Sequence, residues 1–451
     1  MSIQTRRLLF LGFVILFIPL SLGVLLFAQG WRISQNGCQL TDLLNCQIGF
    51  KQTGALYIET EPQDVKISLD ENFFTDQSSF INNGTLITNL NPKTYNVKIK
   101  KENYFPYFKK IKIEPPLVSE IINAILIPEK ITPSIASLQK LRGEEIIAIN
   151  SDYKKIIVKN KKTGIYYLHN FSNQSSAVNL SSAFDNLKKN YLIEKIAFHP
   201  FDEQNKFIIE SAGGLYILDT LRIKLDPILK PQTSKKLLAW SVKNPNIYIA
   251  TENIEKKSGE KQILKYEISF FNLVAKANSP IIELSSEINN YGFSINEIAA
   301  SDSLSKIGLL NSAGDIHLID IQNKEIKQIA HNAKSFKFSP DNKKLAFFDN
   351  DNKLNVYFIE EWRKNIIKNA GESISLNSNE QKPIEKIFWR NESYHLIAEE
   401  YYDASKEIHF LEIDNREPLN RHFIIKDFDS AYYQNNVLYF IKDNSLYSVK
   451  I

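Results

Sequence analysis

The chain has 451 residues, too many for one ordinary domain, and a length prior of roughly 150 per unit suggests about three units. Its 55 Lys and Arg nearly balance 51 Asp and Glu, giving a net charge of +4. No dense basic stripe interleaved with aromatics occurs, which argues against a nucleic-acid partner, and the wealth of Ile, Phe and Tyr favours many short strands.

The first stretch is the most telling. Leu8 to Ala28 is an uncharged run of Leu, Ile, Val and Phe, preceded directly by Arg6 and Arg7. About twenty apolar residues at a helical rise of about 1.5 Å span a hydrocarbon core of about 30 Å. Arginines stay on the cytoplasmic side, so the expectation is a single-pass plasma-membrane anchor over residues 8–28, with the N-terminus cytoplasmic and the bulk extracytoplasmic. Pro19 is tolerated inside such a helix, and Trp31 and Arg32 suit the outer interface. The alternative is a cleaved signal peptide, against which stand the length of the run and the absence of a small-x-small exit. Residues 1–30 are therefore read as tail and transmembrane helix.

Residues 31–53 form the expected stalk. Its only two cysteines, Cys38 and Cys46, are the candidate disulfide of an oxidising compartment. Two free thiols are the alternative, and a metal site would need further ligands that the neighbourhood lacks.

From 54 to 128 the pattern alternates with period two. Ala55–Thr60, Val65–Asp70, Thr85–Ile87, Tyr95–Lys100 and Phe108–Ile113 read as strands. Turn signals stand at Pro62-Gln63-Asp64 and Asn82-Asn83-Gly84. These features predict a compact antiparallel β-sandwich, near the lower size limit for a self-sufficient core. The residues resemble the PEGA domain. Pro62-Gln63-Asp64-Val65 stands at the position that names the family, keeping only its proline. Asn89-Leu90-Asn91-Pro92-Lys93-Thr94-Tyr95-Asn96-Val97-Lys98-Ile99 is similar to its second signature, with Lys93 for glycine, and Asn103-Tyr104 replaces Gly-Tyr. The resemblance implies a non-catalytic spacer or envelope-binding module of the bacterial cell envelope.

After a proline-bounded linker, residues 131–451 repeat one phrase: strand, turn, strand, polar turn, strand. Its clearest copy is Phe336-Lys337-Phe338-Ser339-Pro340-Asp341 followed by Lys344–Phe348 and Leu354–Phe358. With Ile149, Phe198, Trp240, Ala299, Phe338, Phe388 and Tyr432 equivalent, the spacing averages about 47, within the roughly 40–50 of a propeller blade. The expected fold is thus mainly β: an N-terminal transmembrane helix, a small PEGA-like sandwich and a β-propeller of about seven blades, six or eight being the alternatives. The chain stops on a third strand, so Ser134–Leu141 is expected to supply the missing outer strand and close the ring. The Phe-Ser-Pro-Asp phrase resembles the Tol-Pal periplasmic propellers, a WD40-like family, although Gly-His…Trp-Asp pairs are missing.

Chemistry is sparse. Nucleophile-elbow, zinc-protease, dinucleotide and P-loop motifs are absent. The seven histidines (His169, His199, His317, His331, His395, His409 and His422) are scattered, and a structural role is expected for them. Asp349-Asn350-Asp351-Asn352 with Glu360 imitates a calcium loop, but Lys353 and Leu354 break it, so a hairpin turn is expected. Glu399, Glu400 and Asp403, beside Tyr401 and Tyr402, would suit a polar funnel for sugar or peptide, with a solvated loop the preferred reading. The sequence nominates no catalytic, cofactor-binding or metal residues, and no cofactor. The expectation is a non-catalytic, membrane-anchored envelope protein whose propeller binds a protein, a ligand or a surface polymer of the cell envelope. The alternative is an extracytoplasmic propeller hydrolase of peptide or glycan.

Overall fold

The structure, a computed structural model, describes residues 3–36, 47–78, 83–137, 139–172, 177–182, 192–255, 263–285, 294–376, 382–402 and 405–451. Cys38, Cys46 and Asp403 lie outside these residues. Two compact units emerge: residues 1–130 with the short segments 363–367 and 416–420, and the remainder of 131–451.

The first unit starts with α1 (Ile3–Ala28), 26 residues long with no buried side chain. It is long and apolar enough to cross a membrane, and among the described residues none covers its apolar surface. The last turn of a helix leaves carbonyls without partners. Here Gly30, at a φ of 81°, turns the chain out of the helix. Arg32 then donates to the Phe27 carbonyl (2.8 Å), and Gln52 to that of Gln29 (2.9 Å). Thr53 donates to Gly30 O from both its backbone N (2.8 Å) and its hydroxyl (3.0 Å). The expected stalk begins and ends as an antiparallel pair, β1 (Trp31–Asn36) with β2 (Gln47–Gln52).

The sandwich that follows uses β3 (Gly54–Glu61), β4 (Lys66–Leu69), β5 (Asn72–Thr75), β6 (Gly84–Leu90), β7 (Thr94–Lys100), β8 (Tyr107–Lys112) and β9 (Val118–Ile125). One sheet runs β6-β3-β9 and the other β5-β4-β7-β8. The period-two alternation sends Leu56, Ile58, Ile67, Val97, Ile99, Ile111 and Ile121 into one shared core. Strand β9 pairs parallel to β3, so the sandwich is not wholly antiparallel as the sequence suggested. Open sheet edges invite pairing with other chains. Each sheet has one edge met by an asparagine side chain acting as a miniature strand: Asn420 accepts from Phe108 N (3.1 Å) and donates to Phe108 O (2.9 Å). Asn365 does the same at Ile122 (2.6 and 2.9 Å). Between Tyr107 and Ile111, Lys109 points inward and is buried, its ammonium held by the carbonyls of Arg416 (2.6 Å) and Pro418 (3.0 Å).

The second unit is a β-propeller. Among the described residues it contains seven four-stranded antiparallel sheets. We number the blades in chain order and letter their strands A to D from the first, which faces the neighbouring blades' first strands. The A strands are Glu145–Asn150, Lys195–Phe198, Lys235–Lys243, Ile295–Ala300, Ala333–Phe338, Ile384–Trp389 and Ser430–Gln434. All seven positions aligned from the sequence fall on these strands. Blade 7 continues with B (Val437–Lys442) and C (Ser445–Lys450), and its D strand is Ser134–Ile135, paired with Ser448 and Tyr447. The ring therefore closes with the N-terminal strand, as the sequence implied. A blade packs both faces on its neighbours, so B strands carry consecutive buried apolar residues: Ile156-Ile157-Val158, Phe207-Ile208-Ile209 and Leu345–Phe348 are buried. Bulges recur between A and B strands in blades 1, 3, 4, 5 and 6, which adds the local twist that such a blade needs. The B–C hairpins of blades 2 and 7 turn at Ala212-Gly213 and Asp443-Asn444, with positive φ at both residues, as tight hairpin turns require.

Candidate functional site

Strand direction alternates within a blade, so B–C hairpins and D-to-A connections all emerge on one face of the ring. On that face lies a cavity of about 480 Å³ lined by Lys161, Tyr401, Ser405, Lys406, Asp427, Phe428, Asp429, Lys442 and Asp443. Three blades contribute. Tyr401, Ser405 and Lys406 come from the B–C hairpin of blade 6, with B at His395–Tyr402 and C at Ser405–Glu412. Asp427 to Asp429 connect blade 6 to blade 7, Lys442 and Asp443 turn between B and C of blade 7, and Lys161 follows the B strand (Lys155–Lys159) of blade 1.

Beneath the cavity wall sits a cluster of buried charge. Lys406 Nζ lies 2.5 Å from Glu385 Oε2 and 2.7 Å from Glu399 Oε1. Burial disfavours its charge, but the two carboxylates win and raise Lys406 above the ordinary lysine value. Burial pushes Glu399, whose side chain exposes no surface, upward against the pull of Lys386 and Lys406. Glu385 is nearer solvent; burial opposes its ionisation too, yet the hydrogen bond from Lys406 brings it down. The cation is thus shared between a carboxyl held below its ordinary value and one pushed above it, and among the described residues Glu399 Oε2 has no hydrogen-bond partner. Alternation along the strand sends Glu400 to the opposite face, where it pairs with Arg421 and is also raised by burial. Within the cavity burial raises Asp429 as well, aided by Asp443 and Glu144 and opposed by Lys161 and Lys406.

These positions correct one expectation. Glu399 and Glu400 do not belong to a solvated loop; they are buried strand residues with cationic partners, and only Tyr401 and Tyr402 reach solvent. The calcium-like stretch is a hairpin turn: Asp349 accepts from the backbone N of Lys353 (2.9 Å), and Glu360 pairs with Lys343. The histidines are dispersed over blades 1, 2, 4 and 6. His169 accepts from Arg142 N (3.2 Å), His199 from Phe201 N (3.2 Å), and His395 stacks on Phe410 while 2.6 Å from Glu392. His409 Nε2 is 2.9 Å from Glu407, and burial with Arg421 alongside pushes its ring down to about 4. Among the described residues no three His, Cys, Asp or Glu side chains group as a metal site would require.

Most of the cavity was not singled out in the sequence. Lys161, Lys442 and Asp443 lie at or beside hairpin turns of repeats far apart in the chain, and only ring closure brings blade 1 beside blade 7.

Residues 53–122 match the PEGA domain family. No curated protein matches the chain. Many solved structures are similar in outline, three of them as follows. The β-propeller domain of Myceliophteria thermophila Cps50 (Swd1) shares 9% identity at a TM-score of 0.46, covering 71% of this chain and 100% of that one. Kluyveromyces lactis Hsv2 shares 10% at 0.41, covering 83% and 99%. An oligogalacturonate lyase solved in complex with manganese shares 10% at 0.47, covering 72% and 92%. These likenesses are too loose to bear on activity. The chain joins an apolar N-terminal helix, a PEGA domain and a β-propeller.

Proposed function

We propose that this is a non-catalytic, single-pass membrane protein of the cell envelope that holds a partner on its propeller. In this reading α1 remains uncleaved, the N-terminal tail is cytoplasmic and both folded units lie outside. The boundaries of the working parts are those read from the sequence: residues 1–30, 31–53 with Cys38 and Cys46 as a disulfide, 54–128 and 131–451. One observation carries the reading. The cavity shared by blades 6, 7 and 1 offers alternating Lys and Asp side chains beside Tyr401 and Phe428, while the cation at its base, Lys406, is already held by two carboxylates. Such a surface recognises a polar segment bearing both signs of charge, and closed rings present it without reorganisation.

Asp429 favours a second reading, a hydrolase of peptide or glycan, because a carboxyl raised by burial beside other acids is the form a general acid takes. The test is photocrosslinking in intact cells from a reactive residue at Tyr401, on the cavity rim, or at Val274, exposed on the C–D connection of blade 3. One envelope protein captured from position 401 and not from 274 supports the platform. No product from 401, with glycan or peptide cleavage that Asp429→Asn abolishes, replaces it by the hydrolase.

A further inference from the structure

We infer that the helix-proximal end of the PEGA sandwich is itself a membrane-contacting surface, with Pro116, Leu117 and Val118 lying in the interfacial layer of the bilayer that α1 spans. The inference rests on the reading of α1 as a retained anchor.

Strand register fixes which end this is. Strand β3 begins at Gly54, next to Thr53, which is bonded to Gly30 at the helix exit. Strand β9 runs parallel to β3 from Val118, β6 runs antiparallel and finishes at Leu90, and the β6–β7 and β8–β9 connections therefore share the Gly54 end. The β8–β9 connection comes closest to the helix: a Cβ on Gly30 would lie 3.5 Å from Pro116 Cβ. Ala55 N donates to Leu117 O (3.2 Å), and Arg32 ties Asn89 (2.7 Å) to the Phe27 carbonyl. The helix exit and this end of the sandwich form one hydrogen-bonded body.

The depth follows from length. Twenty-one residues from Leu8 to Ala28 rise about 31 Å at about 1.5 Å each, the thickness of a hydrocarbon core. Its outer boundary thus falls near Ala28, with Gly30 and the Pro116 loop just beyond. Headgroup layers add roughly 5–7 Å on each side. Leu117 and Val118 are 58% and 51% exposed, large apolar side chains at the level where lipid replaces water. Their charged neighbours suit that level too. Lys93 pairs with Asp70 (2.7 Å) and Lys112 with Glu114 (2.6 Å), so two acids at this end are neutralised by lysines that are long enough to snorkel. The unit then stands on the membrane by two contacts, a spanning helix and a shallow apolar tip, which restricts its tilt.

The test uses the full chain in phosphatidylcholine vesicles, first floated on a density gradient. Single cysteines at Leu117→Cys or at Glu102→Cys, on the β7–β8 turn at the far end, are introduced with Cys38→Ser and Cys46→Ser and labelled with an environment-sensitive fluorophore. Seven residues of β7 at about 3.3 Å each put position 102 some 20 Å further out. The expected result is a blue-shifted label at 117 that nitroxide lipids quench, and an unquenched one at 102. Floated protein with 117 no more quenched than 102 overturns this inference and leaves the anchor standing; protein that does not float overturns both. Should the cysteine replacements disturb folding, photoactivatable lipid on the unaltered chain gives the same reading: adducts on 115–118 and not on 101–106 support the contact, and the reverse or an even distribution refutes it.

Discussion

Lys344 Nζ, on a side chain with no exposed surface, lies 2.6 Å from Asp341 Oδ2 and 3.4 Å above the centroid of the Trp362 ring. The Ser-Pro-Asp phrase that marked the repeat in the sequence is thus a buried charge clamp. Ser339 Oγ donates to Asp341 (2.5 Å), and Asp341 N donates to Ser393 Oγ (3.0 Å), so the clamp in blade 5 reaches blade 6. Burial pushes the Lys344 ammonium down to about 8 despite the carboxylate beside it. Removing one partner of such a pair strands the other. Asp341→Ala, which leaves a buried cation over Trp362, is expected to cost about 3–5 kcal/mol. Lys344→Met, which keeps the apolar stem and leaves a carboxylate that Ser339 and Lys343 N still satisfy, costs less. Equal losses in urea unfolding of the two variants would contradict the asymmetry.

The join between blades 4 and 5 depends on a missing side chain. Gly308, on strand B of blade 4 (Lys306–Asn311), faces the fully buried ring of Phe336, and a Cβ there would come within 2.7 Å of Phe336 Cζ while overlapping Cε2. Its backbone is ordinary strand, so the demand for glycine is steric. Gly308→Ala is expected to destabilise by about 1–3 kcal/mol through overpacking. Adding Phe336→Leu should recover part of that loss, and a double-mutant cycle showing simple additivity would remove the contact from the explanation.

Much of this fold could be read before any coordinates, because its elements are local. The alternation in Tyr95–Lys100 and the recurrence of Phe338-like positions depend on neighbours within a strand or a repeat, and closure by Ser134 followed from counting strands. The parts that escaped depend on distance in sequence. Strand β9 carries no clean alternation, its burial following the core of β3 instead. Asn365 and Asn420 look like loop residues, yet each completes a sheet edge more than two hundred positions away. Glu399 and Glu400 were visible as an acidic pair, but their burial depends on Lys406 and Arg421 arriving from neighbouring strands.

The asparagine at the edge of β8 has a measurable consequence. Asn420 is the partner of both backbone groups of Phe108, at 3.1 and 2.9 Å. Asn420→Leu preserves volume and removes both hydrogen bonds, which leaves a backbone donor and acceptor unsatisfied at a cost of about 1–3 kcal/mol. The Phe108 amide should then exchange with deuterium faster than that of Ile111, deeper in the same strand. Exchange at Phe108 unchanged by the substitution would show that the amide is protected by other means.

Acid should weaken the propeller through its buried histidines, and the contribution of His169 can be isolated. The ring is buried on strand C of blade 1, with Nε2 accepting from Arg142 N at 3.2 Å. Protonation would turn that acceptor into a second donor facing an N–H. Burial, with Arg142 adding to it, accordingly pushes the ring from 6.5 down to about 4. A folded value below the unfolded one means that the unfolded chain binds more protons between those limits, so stability is complete above about pH 6.5 and declines as the pH falls toward 4. By pH 5 the loss amounts to about 2 kcal/mol, at about 1.4 kcal/mol per unit. Glu399 and Glu400, raised by burial, act in the opposite sense, so the unaltered protein alone does not isolate the histidine. The comparison that does is thermal unfolding of the full chain and of His169→Gln in detergent at pH 7.5 and 5. The variant should lose about 2 kcal/mol less on acidification than the parent, and an equal loss in both would place the acid sensitivity elsewhere.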